Sequence, residues 1–165
     1  MPSVLFVCTA NRFRSPISAA LFARKLEQQH LEHEWLVGSA GTWAEVGLTV
    51  IPSSRWINEN FGLNLEAHKA VRIDRELLSK YDLILVMENS HQESLAVEFP
   101  DLKDRVFLLA KVCTGVSYDV PDPGVMNDDT FLDIAKELSE LINKGFREII
   151  LLAERLDISH AASNK

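Results

Sequence analysis

Residues 4–22 of this 165-residue chain read VLFVCTANRFRSPISAALF. Ser3–Val7 is a short apolar run rich in valine, the pattern of a strand buried on both faces. Cys8 follows at its end, and Arg14 comes six residues later. Ser15 and Pro16 then have the form of a helix start, with serine as N-cap and proline as first helical residue. Ala19, Phe22, Ala23 and Leu26 continue at helical spacing. One strand-to-helix loop therefore carries both a thiol and a guanidinium.

The same alternation continues along the chain. A second strand is expected near Glu34–Ser39, ending in Gly41. Pro52–Phe61 reads as a helix closed by Gly62, and Asp74–Ser79 as a short helix. Asp82–Met87 (DLILVM) is a clear strand, Ser90–Phe99 a helix stopped by Pro100, and Val106–Ala110 a fourth strand. A loop with Pro121 and Pro123 follows. Phe131, Ile134, Leu138, Leu141, Ile142, Gly145, Ile149 and Leu152 then mark one long amphipathic helix, with Asp128 and Asp129 as its expected caps. The pattern predicts an α/β fold: four parallel strands covered by helices on both faces. One domain over residues 1–158 is expected, with a frayed tail over 159–165. Ligands of such folds bind beyond the carboxyl ends of the strands, where Cys8 falls.

Apolar residues make up 47% of the chain and charged ones 25%, as in ordinary globular proteins. The net charge of −7 argues against nucleic acid or an anionic membrane as main partner, because no basic field gathers phosphates at long range. The opening MPSVLFVCTANR lacks the charged start and long apolar core of a signal peptide, and no apolar run reaches about 18 residues. Two widely separated cysteines, Cys8 and Cys113, fit a reducing cytoplasm. With no CxxC or HExxH, no metal site and no cofactor are read.

The loop Cys8–Ser15 has a chemical logic. A backbone turning from strand into helix can point successive N–H groups inward as an anion nest, reinforced by the helix dipole. Arg14 adds a planar fork that matches two phosphate oxygens. A thiol at the base of this nest is placed to attack phosphorus, giving a phosphocysteine that water must later clear. The leaving oxygen then needs a proton, and a carboxyl on a proline-flanked loop can supply it. Asp122 in VPDPGV is the candidate, with Asp119 as its neighbour and competitor.

This stretch resembles the low-molecular-weight protein tyrosine phosphatase family, whose loop reads Cys-x-Gly-Asn-x-Cys-Arg-Ser-Pro against CTANRFRSP here. The similarity extends to SAGTW at Ser39–Trp43, His68, YDLILVM at Tyr81–Met87 and VPDP at Val120–Pro123. It implies a three-layer fold with a four-stranded parallel sheet and a phosphate-binding loop after the first strand. It also implies hydrolysis of phosphotyrosine, or a related phosphomonoester, with Cys8 as nucleophile, Arg14 as phosphate ligand and Asp122 as general acid and base. The remaining loop residues Thr9, Ala10, Asn11, Arg12, Phe13 and Ser15 would line the phosphate. Asn11 would hold an unusual backbone conformation, Ser15 would bond the leaving thiolate, and Ser39 and His68 would brace Asn11. Expected ligands are a phosphotyrosine protein or small phosphomonoester, with inorganic phosphate or vanadate in the same pocket.

The departures define the open questions. Ala10 replaces a glycine, which matters only if that position needs positive φ. Phe13 replaces a second loop cysteine, removing a thiol that could trap an oxidised Cys8 as a disulfide. Arg12 either adds positive potential at the pocket mouth or faces solvent. Gly124 and Val125 stand where many relatives carry aromatic residues, leaving Trp43 as candidate for an opposing wall, or else a core residue. Ser39 could equally be an ordinary strand-end hydroxyl, and His68 a surface or core histidine. Rival readings are an arsenate reductase-like enzyme, short of relay cysteines, a protein-arginine phosphatase, whose loop carries threonine in place of Arg12, and a non-catalytic phosphopeptide-binding module.

Overall fold

A computed structural model of the chain describes residues 1–124 and 127–163, with side chains described through Ser159. Four strands form one parallel sheet: β1 (Ser3–Cys8), β2 (Leu36–Gly41), β3 (Leu83–Val86) and β4 (Val106–Leu108), in the order β2-β1-β3-β4. Helices α1 (Arg14–Gln28), α2 (Ser54–Phe61), α3 (Arg75–Ser79), α4 (Asn89–Glu98), α5 (Leu109–Thr114) and α6 (Asp128–Ser163) surround it, with a 3-10 helix at Pro100–Arg105.

Every residue of β1 is buried, which its uninterrupted apolar run dictates. Its side chains alternate between two cores. Val4, Phe6 and Cys8 face the larger core, where Phe22 and Leu26 of α1 meet Leu138 and Ile142 of α6. Leu5 and Val7 face a smaller core with Leu95 and Phe99. The chain runs from β1 to one neighbour and returns on its other side through β3. The strand order therefore reverses at β1, and Cys8 stands at the carboxyl end of the strand where it does so.

Several boundaries move. Helix α1 begins at Arg14 rather than Pro16, and its N-cap is Phe13, with no side-chain capping bond. Ser15 is thus inside the helix and its hydroxyl turns toward Cys8, described below. Asn127, not Asp128 or Asp129, caps α6: its Oδ1 accepts the Thr130 N–H at 3.1 Å. The two aspartates lie in the first turn, where they complement the helix dipole. The expected fourth strand stops at Leu108, and Leu109 and Ala110 open a further helix, α5, inside what reads as strand and loop. Leu109, Ala110 and Cys113 are its buried face, and Gly115 ends it at φ 80°. Packing against α6 overrides the β propensity of the segment. Helix α6 runs on to Ser163, into the expected frayed tail, whose residues 164–165 lie outside the described residues. No helix among the described residues is long and apolar enough to cross a membrane.

Candidate active site

The loop from Cys8 to Ser15 closes on itself around the Cys8 sulfur. The Asn11 N–H donates to Cys8 Sγ at 3.3 Å, and the Ser15 hydroxyl lies 3.0 Å from the same sulfur. Ser15 Oγ accepts from Asn11 Nδ2 at 2.8 Å and reaches the Ala40 carbonyl at 3.2 Å. Its hydrogen can therefore turn to the sulfur whenever negative charge collects there.

Asn11 is the keystone of the loop. It takes a left-handed backbone, φ 54°, which asparagine tolerates better than most residues. It is fully buried, and every polar group of its side chain is used. Nδ2 donates to Ser39 Oγ at 2.9 Å as well as to Ser15, and Oδ1 accepts the Val71 N–H at 2.9 Å. His68 Nε2 lies 2.8 Å from the Asn11 carbonyl. Ser39 and His68 thus both contact Asn11. Gly41 completes the cradle from β2: a Cβ there would stand 2.4 Å from the Thr9 carbonyl and 2.9 Å from Asn11 N. Only glycine lets β2 come this close to the loop.

Ala10 does not take positive φ, so alanine stands in the loop without left-handed strain. Phe13 is buried and packs edge-on against Phe131 of α6, with ring centroids 4.9 Å apart. Arg12 is pinned sideways. Its Nε donates to the Thr49 carbonyl at 2.7 Å, while its own carbonyl accepts the Ile51 N–H at 2.7 Å. That clip brings Ile51 to the cleft.

Arg14 is 2% exposed, and its fork is held on both nitrogens. Nη1 pairs with Glu88 Oε1 and donates to the Val120 carbonyl at 2.9 Å. Nη2 donates to Asp122 Oδ2 at 3.0 Å and lies 3.4 Å from Thr9 Oγ1. Asp122 is half-exposed, and its Oδ1 accepts the Gly124 N–H at 2.8 Å across a turn that Gly124 makes at φ 61°. Its competitor Asp119 is committed elsewhere: Oδ1 accepts the Asn89 N–H at the start of α4.

A cleft opens over this arrangement. Cys8, Ala10, Arg12, Phe13 and Arg14 form its floor, Asp122, Pro123 and Gly124 one rim, and Ile51 and Phe131 apolar walls. Trp43 is not among the residues lining it. Its backbone N–H does bond the Thr9 carbonyl, but the ring is 74% exposed and lies over the Arg72 guanidinium in a separate groove. Neither the opposing-wall nor the core reading of Trp43 fits that placement. Val125, half of the Gly124/Val125 pair, lies outside the described residues.

Ile51, Glu88 and His91 are missing from the sequence reading, and Phe131 enters it only as a residue of the last helix. Ile51 comes from a segment with no motif of its own, and the helical spacing that marks Phe131 says nothing of the cleft. Glu88 carried a usable signal: it lies just past the end of β3, on the same carboxyl edge of the sheet as Cys8. Both cysteines are free. Cys113 is buried on α5, and that burial pushes its thiol up to about 12. Among the described residues, no group of three or more His, Cys, Asp or Glu side chains is arranged to hold a metal ion.

Comparison with known proteins identifies the family of the chain. The family model described as low molecular weight phosphotyrosine protein phosphatase matches residues 3–154. The chain is 32% identical over 148 residues to a protein-arginine-phosphatase of Bacillus subtilis, spanning 88% of this chain and 95% of that one. It is 35% identical over 129 residues to the low molecular weight protein-tyrosine-phosphatase Wzb of Escherichia coli K12, spanning 78% and 82%. Among solved structures, a mutant of the YwlE arginine phosphatase with a phosphorylated active-site serine superposes with a TM-score of 0.79. That pair is 31% identical, with 94% of this chain and 95% of the other covered.

Proposed function

Because the chain belongs to the low molecular weight phosphotyrosine protein phosphatase family, we propose that its own Cys8, Arg14 and Asp122 carry out phosphomonoester hydrolysis on phosphotyrosine in proteins. The observation that carries this reading is their convergence. The Cys8 sulfur lines the floor of the cleft in which the Arg14 fork and the Asp122 carboxyl meet at 3.0 Å.

The steps follow from the geometry. Arg14 and the loop N–H groups take the phosphoryl oxygens. Cys8 Sγ forms a bond to phosphorus as the ester P–O bond breaks, and protonated Asp122 gives its proton to the departing oxygen. A water then attacks the phosphocysteine. Asp122, now a carboxylate, takes the water's proton, and the S–P bond breaks to release inorganic phosphate. Ser15 Oγ, 3.0 Å from the sulfur, stabilises the thiolate that leaves. No metal or organic cofactor is needed to balance these steps. A phosphorylated active-site serine in the YwlE mutant supports covalent transfer to the loop nucleophile.

The apolar walls Ile51 and Phe131 suit an aryl leaving group. A second substrate, protein phosphoarginine, is favoured by the similarity to the Bacillus subtilis protein-arginine-phosphatase. Arg12 at the cleft floor opposes it, because a cation there disfavours a guanidinium-bearing side chain. The free, unprotected Cys8 supports a reducing, cytoplasmic setting.

The test is steady-state hydrolysis of para-nitrophenyl phosphate without metal, then kcat/KM for matched phosphotyrosine and phosphoarginine peptides. Turnover lost in Cys8→Ser and a phosphotyrosine preference above about tenfold support the proposal. The reverse preference assigns the arginine substrate. Phosphate or vanadate binding without wild-type turnover assigns a phosphopeptide-binding module instead.

A further inference from the structure

His91, on the first turn of α4, is only 5% exposed and plays no part in the steps above. Its ring is fixed by two contacts. Nδ1 accepts the Glu88 N–H at 3.2 Å. An imidazole accepting at Nδ1 carries its proton on Nε2. Nε2 lies 2.8 Å from Thr9 Oγ1, so this N–H donates to the threonine hydroxyl. Thr9 Oγ1 and the Glu88 carboxylate are, in turn, neighbours of the two terminal nitrogens of Arg14: Thr9 beside Nη2 and Glu88 on Nη1. Glu88 and His91 are further locked together by a capping box, in which the Glu88 side chain accepts the His91 backbone N–H. One ring thus touches the holders of both arms of the fork.

We propose that His91 is a positioning residue for Arg14, fixing through Thr9 and Glu88 the plane of the guanidinium that receives the transferred phosphoryl group. The proposal rests on the phosphatase reading of the loop. A planar fork binds two phosphate oxygens only when its plane is held to within roughly 10–20°. Van der Waals packing alone leaves an arginine free to rotate about its last torsions; hydrogen-bonded holders on each nitrogen do not. The arrangement requires a neutral ring. A second proton would place an Nδ1–H against the Glu88 N–H, two donors face to face. Burial, the largest influence, holds the His91 ring below 6.5. Glu88, Asp119 and Asp122 pull it up, and Arg14 pushes it down. The neutral, orienting form is therefore favoured beyond that of an ordinary histidine and is lost progressively in acid.

Glutamine and asparagine separate the two faces of the ring. The Gln amide nitrogen reaches the position of Nε2 and can still donate to Thr9; the shorter Asn cannot. The experiment measures para-nitrophenyl phosphate kinetics, and inorganic phosphate affinity by calorimetry, for wild type, His91→Gln, His91→Asn, Thr9→Val and the Thr9→Val/His91→Asn double variant. His91→Asn is expected to lower kcat about ten- to hundredfold and to weaken phosphate about as much, by analogy with other residues that orient a ligand-binding side chain. His91→Gln is expected to recover most of both and to flatten the fall in kcat/KM in acid. In the Thr9→Val background, His91→Asn should cost less than about threefold more.

Equal losses in the Gln and Asn variants with phosphate affinity unchanged would mean a merely structural histidine, and overturn the proposal. Additive losses in the double variant would do the same. If His91→Asn does not fold, an unchanged kcat and phosphate affinity in Thr9→Val overturns it. A wild type without turnover defeats the phosphatase reading alone, because the phosphate affinities of the variants still report the fork.

Discussion

Two strands of the sheet each have a buried cysteine at or just beyond their carboxyl end, Cys8 closing β1 and Cys113 following β4 on α5, and the two cysteines have nothing in common chemically. β1 ends at Cys8 and opens into a loop whose Asn11 N–H and Ser15 Oγ converge on the sulfur, with a cleft above it. β4 runs straight into α5, which carries Cys113 into the larger core against α6. A Cβ on Gly145 of α6 would sit 2.2 Å from Cys113 Sγ and 2.7 Å from Cys113 Cα, so the two helices touch through backbone at this point. Burial without donors pushes that thiol up to about 12 and leaves it a small apolar filler. Both cysteines are buried; what separates them is whether the chain leaves the strand as a loop of inward N–H groups or as a helix that uses those groups itself.

The largest effects should divide the two regions cleanly. Cys8→Ser should abolish para-nitrophenyl phosphate turnover by more than about four orders of magnitude, as for other lost nucleophiles. Cys113→Ala should leave kcat within about twofold. Alkylation checks the same contrast without mutation. At pH 7.5, a thiol at about 12 is ionised to only about 10⁻⁴ or less, so iodoacetamide should leave Cys113 untouched in the native protein. Cys8 should label, and inorganic phosphate should protect it. Labelling of Cys113 before Cys8 would break the comparison.

The next effect lies on the cleft rim. Asp122→Asn should lower kcat about 10²- to 10⁴-fold, the range of a lost general acid. Asp119→Asn should lower it far less, because Asp119 holds the start of α4 through the Asn89 N–H. A leaving-group series sharpens the point: the Asp122→Asn deficit should shrink as the phenol becomes more acidic and needs its proton less.

Much of this was legible because it is local. β1 is written in an unbroken apolar run, and Cys8, Arg14 and Asp122, which meet at one cleft, stand out as the nucleophile, cation and acid that a phosphoryl transfer would need. The unread parts depend on distant partners. Helix α5 exists because Leu109, Ala110 and Cys113 find α6, which their own sequence does not announce. Ser15 reads as a cap until the loop's three-dimensional demand for its hydroxyl at Cys8 is known. Arg12 reads as a free cation, yet it is tied to the Thr49 carbonyl across 37 residues. Trp43 offers the right ring in the right motif, but its side chain leaves the loop that its backbone touches. Glu88 lies 74 residues from Arg14 and His91 lies 82 from Thr9; the place of Glu88 just past β3 hints at the site, but nothing in the immediate sequence of His91 points there.

Gly145→Ala perturbs only the second region. The added methyl meets Cys113 backbone, which no rotamer change can relieve, so α5 and α6 must part. A stability loss on the order of 1–3 kcal/mol is expected, seen in chemical denaturation at constant m-value. A Gly145→Ala variant as stable as wild type would mean that α5 shifts freely, and that Cys113 is less firmly buried than the contrast requires.

The smallest effect returns to the phosphate loop and separates two adjacent residues. Asn11 sits at φ 54°, whereas Ala10 does not take positive φ. Ala10→Gly would restore the residue usual in the family, yet the native backbone has no use for its freedom. The substitution therefore acts on the unfolded chain alone, giving it more conformations to lose. A loss of about 0.4–1 kcal/mol is expected. Asn11→Ala should cost more, because it puts alanine at positive φ and also strands Ser39 Oγ and the Val71 N–H without their partner. Equilibrium unfolding of the two variants side by side tests the loop's backbone directly. If Ala10→Gly stabilises the protein instead, Ala10 is strained after all, and the nest around Cys8 is held under tension rather than formed at ease.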